Sequence, residues 1–333
     1  GAVPWREKLA LAKALPRLAK QMLTSDWRDP TPTSVYDTET AEAYFRPGAP
    51  VFIDYLLEPI MQHFNGFAHD DLSIAWLMWI LGGRPWSRSW WSFQERGVGR
   101  LTHAMGERLV EDGMRLLLNA RVGRVGHAAD GVEVDARIEG APQTLTGDAV
   151  VCAVPGSLVN QLVPDLAEDY RAFFSSVQYG ALYLSYYLVE LPAELSPAEL
   201  PEALILPTVD GFHNAAYFYV QPLASRQAIV HVEMKGAASA AARDQSEEQV
   251  RTALWTDVVT AAPRMAQCRI EDFLLIRNDL AIMKPYVGYI EALRRFRALP
   301  PLQNIAFAGD YLLTSTVGQA HYSGLQAAES LLR

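Results

Sequence analysis

The sequence holds only two cysteines, Cys152 and Cys268, in 333 residues. Two thiols cannot build a disulfide framework or a cysteine-rich zinc site, and they fit a reducing, cytoplasmic setting. Positive charge is scarce as well: 29 Lys and Arg face 38 Asp and Glu, a formal net charge of −9. A general nucleic-acid binder needs a phosphate-neutralising surface, so no nucleic-acid partner is expected. Long apolar runs are missing. The longest, Ile74 to Leu81, falls far short of the roughly 18 to 20 residues of a membrane span. The opening GAVPWREKLALAKALPRLAKQML is interrupted by charges and by Pro16, unlike a signal peptide. There is no internal repeat or low-complexity tract, and no G-x-S-x-G, H-E-x-x-H or G-x-x-x-x-G-K motif. Apolar residues, in contrast, make up half the chain while charged ones make up 20%, which excludes a disordered chain. At roughly 150 residues per domain, the length predicts about two domains.

Periodicity predicts a helix over 5–23 with a kink at Pro16, then helices through 40–64, 71–81 and 100–112. The stretch GGRPWSRSWWSFQERGVG reads as a loop. A dense β region follows: RLLLNARVGRVGHA, a turn at Asp130-Gly131, VEVDARIEG, then QTLTGDAVVCAVP. Two strands joined through Asp-Gly predict a hairpin. The continuous apolar run Ala149 to Val154 predicts a strand buried on both faces. Beyond it the pattern predicts a helix over 157–175 and strands at 177–190, 203–209, 214–220, 228–234 and 271–276. Helices are predicted over 245–261 and 288–297, then a strand from Asn304 to Ala308 and a last helix from about Gly318. Helices and strands alternate without a regular βα rhythm, which predicts intertwined α/β and α+β domains.

The tail QNIAFAGDYLLTSTVGQAHYSGLQAAESLLR carries the clearest chemistry. An apolar strand ends in Ala308-Gly309-Asp310. Ligands of open α/β sheets bind beyond the carboxyl ends of strands. Glycine there permits close approach, and an aspartate accepts hydrogen bonds from hydroxyls. Val317-Gly318-Gln319 then opens a helix whose first amides face an electron-rich ligand. Ser323, Gly324, Ala327 and Ala328 form a small-residue face for close packing. On these features alone, a strand–turn–helix with a packing face is the simpler reading.

This tail resembles the C-terminal flavin-binding segment of the FAD-dependent amine oxidase, protoporphyrinogen oxidase and phytoene desaturase superfamily. Gly309 and Asp310 match its A-G-D strand end. The segment RGVGRLTHAMGERLVEDGMRLLLNARVGRV resembles the family stretch whose "ARV" valine, here Val122, meets the adenine through its backbone. GDAVVCAVP resembles the strand leading into the substrate domain, and RNDLAIMKPYVGYIEALRRF the return to the FAD domain. Four motifs in family order cover nearly the whole chain. The resemblance implies the C-terminal part of a Rossmann-like FAD domain (97–156 and 283–333). It also implies a mixed-sheet, helix-flanked substrate domain (157–282, with helices from 1–96). It places Val122, Gly309, Asp310, Val317, Gly318 and Gln319 on FAD, with Asp310 at the ribityl–phosphate part.

The sequence also departs from the family. No N-terminal strand–G-x-G-x-x-G–helix unit is present to hold the pyrophosphate; the chain is expected to begin after it. A partner subunit supplies that unit, the chain was separated from it, or FAD has been lost; a homodimer or a partner subunit is expected to cover the apolar surface left by its absence. Gly318-Gln319-Ala320 stands where the family often has Glu-Gly-Ala. The lysine that amine oxidases often hold near flavin N5 has no counterpart in 177–186. That weighs toward dehydrogenase or desaturase chemistry.

Other residues carry weaker signals. Five of the eight tryptophans lie within 76–91; core packing is the plainer role for them. A wall of an apolar substrate cavity is the functional alternative, with Trp79, Tyr183 and Tyr217 as candidates. His321, one turn into the last helix, is a weak candidate proton donor or acceptor. Lys284 reads as a solvated lysine. His63, His69, Asp70 and Asp71 straddle the Asn65-Gly66 turn signal, so no helix face presents them together as a metal site. The basic first helix is a candidate for peripheral contact with anionic lipid, although an ordinary solvated face explains it as well.

The function implied is an FAD-dependent oxidoreductase that moves hydride from a small apolar, ring-containing substrate to flavin. The alternative is a flavin-free derivative, either a ligand-binding accessory subunit or a non-redox cyclase or isomerase.

Overall fold

A computed structural model describes residues 3–13, 26, 28–65, 70–82, 99–196, 199–223 and 226–332. Helix α1 covers 5–13; the continuation expected to residue 23, the loop at 83–98 and His69 lie outside the described residues. The expected helix over 40–64 is divided. Helix α2 (Ala41–Phe45) is capped by Thr40, whose hydroxyl accepts from the Ala43 amide at 3.0 Å. Pro50, which lacks an N–H, starts α3 (Pro50–Phe52). A π turn over Ile53–Leu57 then leads into α4 (Glu58–Asn65). Helix α5 (Ile74–Gly82) is apolar in sequence, and Ile74 to Trp79 are all buried. Its Trp76 and Trp79 pack with Ile53, Leu57 and Leu72 in one core.

Helix α6 (Gly99–Glu111) precedes a three-stranded antiparallel sheet of β1 (Ala120–Ala128), β2 (Gly131–Ile138) and β3 (Ala141–Gly147). The Asp130-Gly131 hairpin is formed, with Ala128 opposite Gly131. Strand β1 starts later than its apolar approach suggests, because Asn119 takes a positive φ of 54°. QTLTGDAVVCAVP is divided between two sheets: β3, and β4 (Val150–Cys152), which pairs in parallel with β10 (Ile305–Phe307). Strand β4 is not buried on both faces as expected. Val151 is 38% exposed, since β10 is its one partner among the described strands.

Pro164 separates α7 (Val159–Leu162) from α8 (Glu168–Ser176). Helix α8 brings Phe173 and Phe174 onto Phe307, Tyr311 and Phe296 in a second core, with Phe173 stacked on Phe296 at 4.1 Å. The largest sheet has the order β6 (Ala203–Ile205), β7 (Ala215–Pro222), β8 (Gln227–Met234), β5 (Tyr179–Glu190), β9 (Arg269–Met283). Every pairing in it is antiparallel, where a mixed sheet was expected. Short connections such as that between β7 and β8 return the chain directly, with no crossover. Alternation along β5 buries Tyr183, Tyr187 and Val189 against α9 (Gly236–Ala241) and α10 (Glu247–Ala261). The opposite face, open among the described residues except where α4 packs on β7, carries Tyr186, Tyr217, Tyr219, His231 and Glu233.

Helix α11 (Tyr289–Arg297) begins at Gly288, which has no side chain to cap it. Buried Asp37 does so from across the fold, accepting the Ile290 amide at 2.8 Å and the Ser73 hydroxyl at 2.6 Å. Helix α12 (Val317–Leu331) ends the described chain. No described helix is long and apolar enough to cross a membrane.

Candidate functional site

The site is built where β10 ends. Gly309 takes φ 157°, ψ 169°, a region open essentially to glycine alone. A Cβ there would lie 2.4 Å from the Tyr311 ring, and one on Gly156 would lie 2.9 Å from the same ring. The Tyr311 ring is therefore sandwiched between two glycines, and Tyr289 holds its backbone carbonyl by donating a hydroxyl hydrogen bond. The Gly309 amide donates to Ser323 Oγ at 2.9 Å, tying the strand end to α12. Ala327 packs on Ala306 and Ala308, so the small-residue face of α12 does allow close packing, against β10.

Asp310 follows. Its carboxylate accepts from the Tyr179 hydroxyl at 3.1 Å, and that same hydroxyl accepts from the Gly156 amide at 3.1 Å. Burial pushes the Asp310 carboxyl above its ordinary 3.8, against the opposing pull of the Tyr179 hydroxyl and of backbone hydrogen bonds at Tyr311 and Met283. Burial, with the Asp310 charge, also pushes the Tyr179 phenol up. A carboxylate held in an environment that disfavours its charge, and lining a cleft, is a recognised mark of a functional site.

The cleft measures about 370 Å³ and is lined by Tyr179, Leu280, Ile282, Asp310, Thr316 and Val317, among others. Thr316 caps α12 by accepting the Gln319 amide at 3.3 Å. Val317 and Gly318 are exposed, and nothing lies within 4 Å of where a Gly318 Cβ would be. Gln319 is buried. Asp310, Gly309 and Val317 thus meet at one cleft. Val122 lines a different one, of about 490 Å³, on the three-stranded sheet with Arg121, Asp135 and Arg137.

The remaining candidates are dispersed. Trp79 is buried in α5 and donates its indole N–H to the Asp26 carbonyl at 2.7 Å. Tyr183 is on the packed sheet face, its hydroxyl donated to Asp279 at 2.9 Å. Tyr217 alone of these three is on the open face, stacked on His63 at 4.1 Å. His321 is exposed on α12 and is not among the residues lining the cleft. Lys284 pairs with Asp71 at 3.1 Å. Sequence reasoning placed Tyr179 only within the strand over 177–190; its bond to Asp310, 131 residues away, has no local signal. It also passed over Glu233, which His63 Nδ1 contacts at 2.6 Å, and the adjacent His231.

Residues 8–332 match the family described as flavin containing amine oxidoreductase. The chain belongs to this family of FAD-dependent oxidoreductases. Among solved structures it is similar to cyclohexylamine oxidase from Brevibacterium oxydans IH-35A, at TM-score 0.71 and 15% identity, over 96% of this chain and 74% of that one. It is also similar to wild-type putrescine oxidase bound to putrescine, at TM-score 0.72 and 14% identity, over 98% of this chain and 76% of that one. At such identities the likeness speaks for the fold alone. No curated protein sequence matches the chain.

Proposed function

We propose that this chain is a dehydrogenase- or desaturase-like flavoenzyme in which Asp310 holds the ribityl part of FAD and the open sheet face receives an apolar, ring-containing substrate. The carrying observation is the half-buried carboxylate at the carboxyl end of a parallel strand, with its charge disfavoured and an open cleft beside it. Segments 97–156 and 283–333 form the Rossmann-like FAD part in this reading, and 1–96 with 157–282 the substrate part.

The residues present fit the middle and ring edge of the cofactor. Asp310 accepts from hydroxyls, oriented by Tyr179. The exposed start of α12, with Gly318 open above it, offers helix amides to an electron-rich edge. Val122 offers exposed strand backbone to the adenine. Bound flavin supplies the hydride acceptor for a substrate C–H bond. The chain's own part is to orient the substrate and exclude water with the apolar residues of the sheet face.

In this reading the phosphate grip comes from a glycine-rich strand–turn–helix segment outside residues 1–333, carried by a partner or by the same polypeptide. Two features support this. Leu101, Met105, Leu109 and Val110 of α6 are exposed, and the helix buries no residue. About a quarter of each similar structure has no counterpart here.

The test is FAD titration of wild type and Asp310→Ala, with the partner segment present. A charged hydrogen bond contributes about 1.5–3 kcal/mol, so affinity falls about ten- to a hundredfold. Equal affinities, with a lowered melting temperature, contradict the role. A chain that stays colourless under these conditions favours the flavin-free ligand binder.

A further inference from the structure

On the open face of the large sheet, Tyr219, His231, Tyr186 and Leu274 form one cross-strand row, and Tyr217, Glu233, Leu184 and Ile276 the next. His231 is 7% exposed. Tyr186 stacks on it at 4.7 Å with 18° between planes, and Tyr219 meets it edge-on at 4.8 Å. Among the described residues, neither ring nitrogen has a hydrogen-bond partner. Burial lowers the His231 pKa from 6.5, opposed by Glu233 and reinforced by His63. The imidazole is therefore neutral near pH 7, with one N–H to donate and one lone pair to accept. Leaving both unused inside a protein costs the full desolvation of each. Glu233, whose carboxylate meets His63 of α4 at 2.6 Å, makes no hydrogen bond to the imidazole.

The surroundings point to what would use this group. Leu274, Ile276 and Leu280 are exposed along β9, and Leu280 also lines the cleft beside Asp310. Leu274, Ile276 and Leu280, interrupted by Asn278, thus lead along β9 from the aromatic cluster toward that cleft. Tyr179, at the cleft, and Tyr186 are seven positions apart on β5, about 23 Å at about 3.3 Å per residue. Tyr186 and Tyr219 are each partly exposed, so rotation of either side chain would open the imidazole to a ligand ring.

We propose that this cluster is a distal recognition site with His231 as its specificity-determining residue, and that it selects a flat ring bearing a hydroxyl, which both donates and accepts. The proposal rests on the reading of the open face as the substrate wall. Its test does not involve flavin, so it fails separately from the Asp310 role.

p-Cresol and toluene, which differ by that hydroxyl, are titrated into the full chain by ligand-observed NMR. Wild type is expected to bind p-cresol about tenfold more tightly than toluene. His231→Phe is expected to bind the two alike and to melt at the same temperature as wild type or higher, because an unsatisfied buried polar group is gone. His231→Gln, which keeps a donor and an acceptor, retains part of the preference. Equal affinities in wild type, a preference that survives in His231→Phe, or a His231→Phe chain that fails to fold would each overturn the proposal.

Discussion

At the scale of single residues, Asp310 links stability to function with a definite sign. Its folded carboxyl titrates above the unfolded one because burial disfavours the charge. The folded state therefore binds the proton more tightly than the unfolded state. That contribution is complete below the unfolded value near 3.9 and is lost as pH rises through the folded one. Asp310→Asn should accordingly melt above wild type at pH 8, with the gap narrowing toward pH 4; a gap independent of pH would assign the shift to something else. Gly309 was legible as a glycine needed at a strand end, but its reason was not. The obstruction is the Tyr311 ring, 2.4 Å from an added Cβ, and no sequence pattern announces that contact. Gly309→Ala is expected to cost about 1–3 kcal/mol through overpacking and backbone strain, read as a lower urea midpoint.

At the scale of elements, periodicity found most helices and strands, and long-range pairing decided the rest. Strand β9 runs over Arg269–Met283, well past the 271–276 its own residues suggest, because β5 offers a partner along its full length. The run through Val150 ends one sheet and begins another because β10, 155 residues later, pairs with it. Helix α9 was not foreseen at all; six small residues, GAASAA, carry little periodic signal. The cap of α11 was equally hidden, since Asp37 reaches it from 253 residues away. Asp37→Ala removes a helix cap and leaves buried donors unpaired, a loss of about 1–3 kcal/mol. Chemical denaturation should show a lower midpoint with an unchanged slope. Ser246→Ala, which opens the capping box at α10, is expected to cost about 0.5–2 kcal/mol.

At the scale of the whole molecule, the family was legible because four short motifs fall in order along the chain, while the substrate face was not. Tyr183 and Tyr217 look alike in sequence, yet pleat and register put them on opposite faces, one packed and one open. Exposed apolar residues on α6 predict self-association of the isolated chain. Met105→Glu with Leu109→Glu should lower it in sedimentation experiments without lowering the melting temperature, since neither side chain is buried. The central claim is that the Asp310 cleft holds the ribityl portion of a flavin, and it can be tested on this chain alone by comparing riboflavin with lumiflavin, which lacks the ribityl hydroxyls. Flavin fluorescence titrations should give tighter binding of riboflavin to wild type and no difference between the two in Asp310→Ala. Equal affinities in wild type, or a riboflavin preference that persists without the carboxylate, would contradict it.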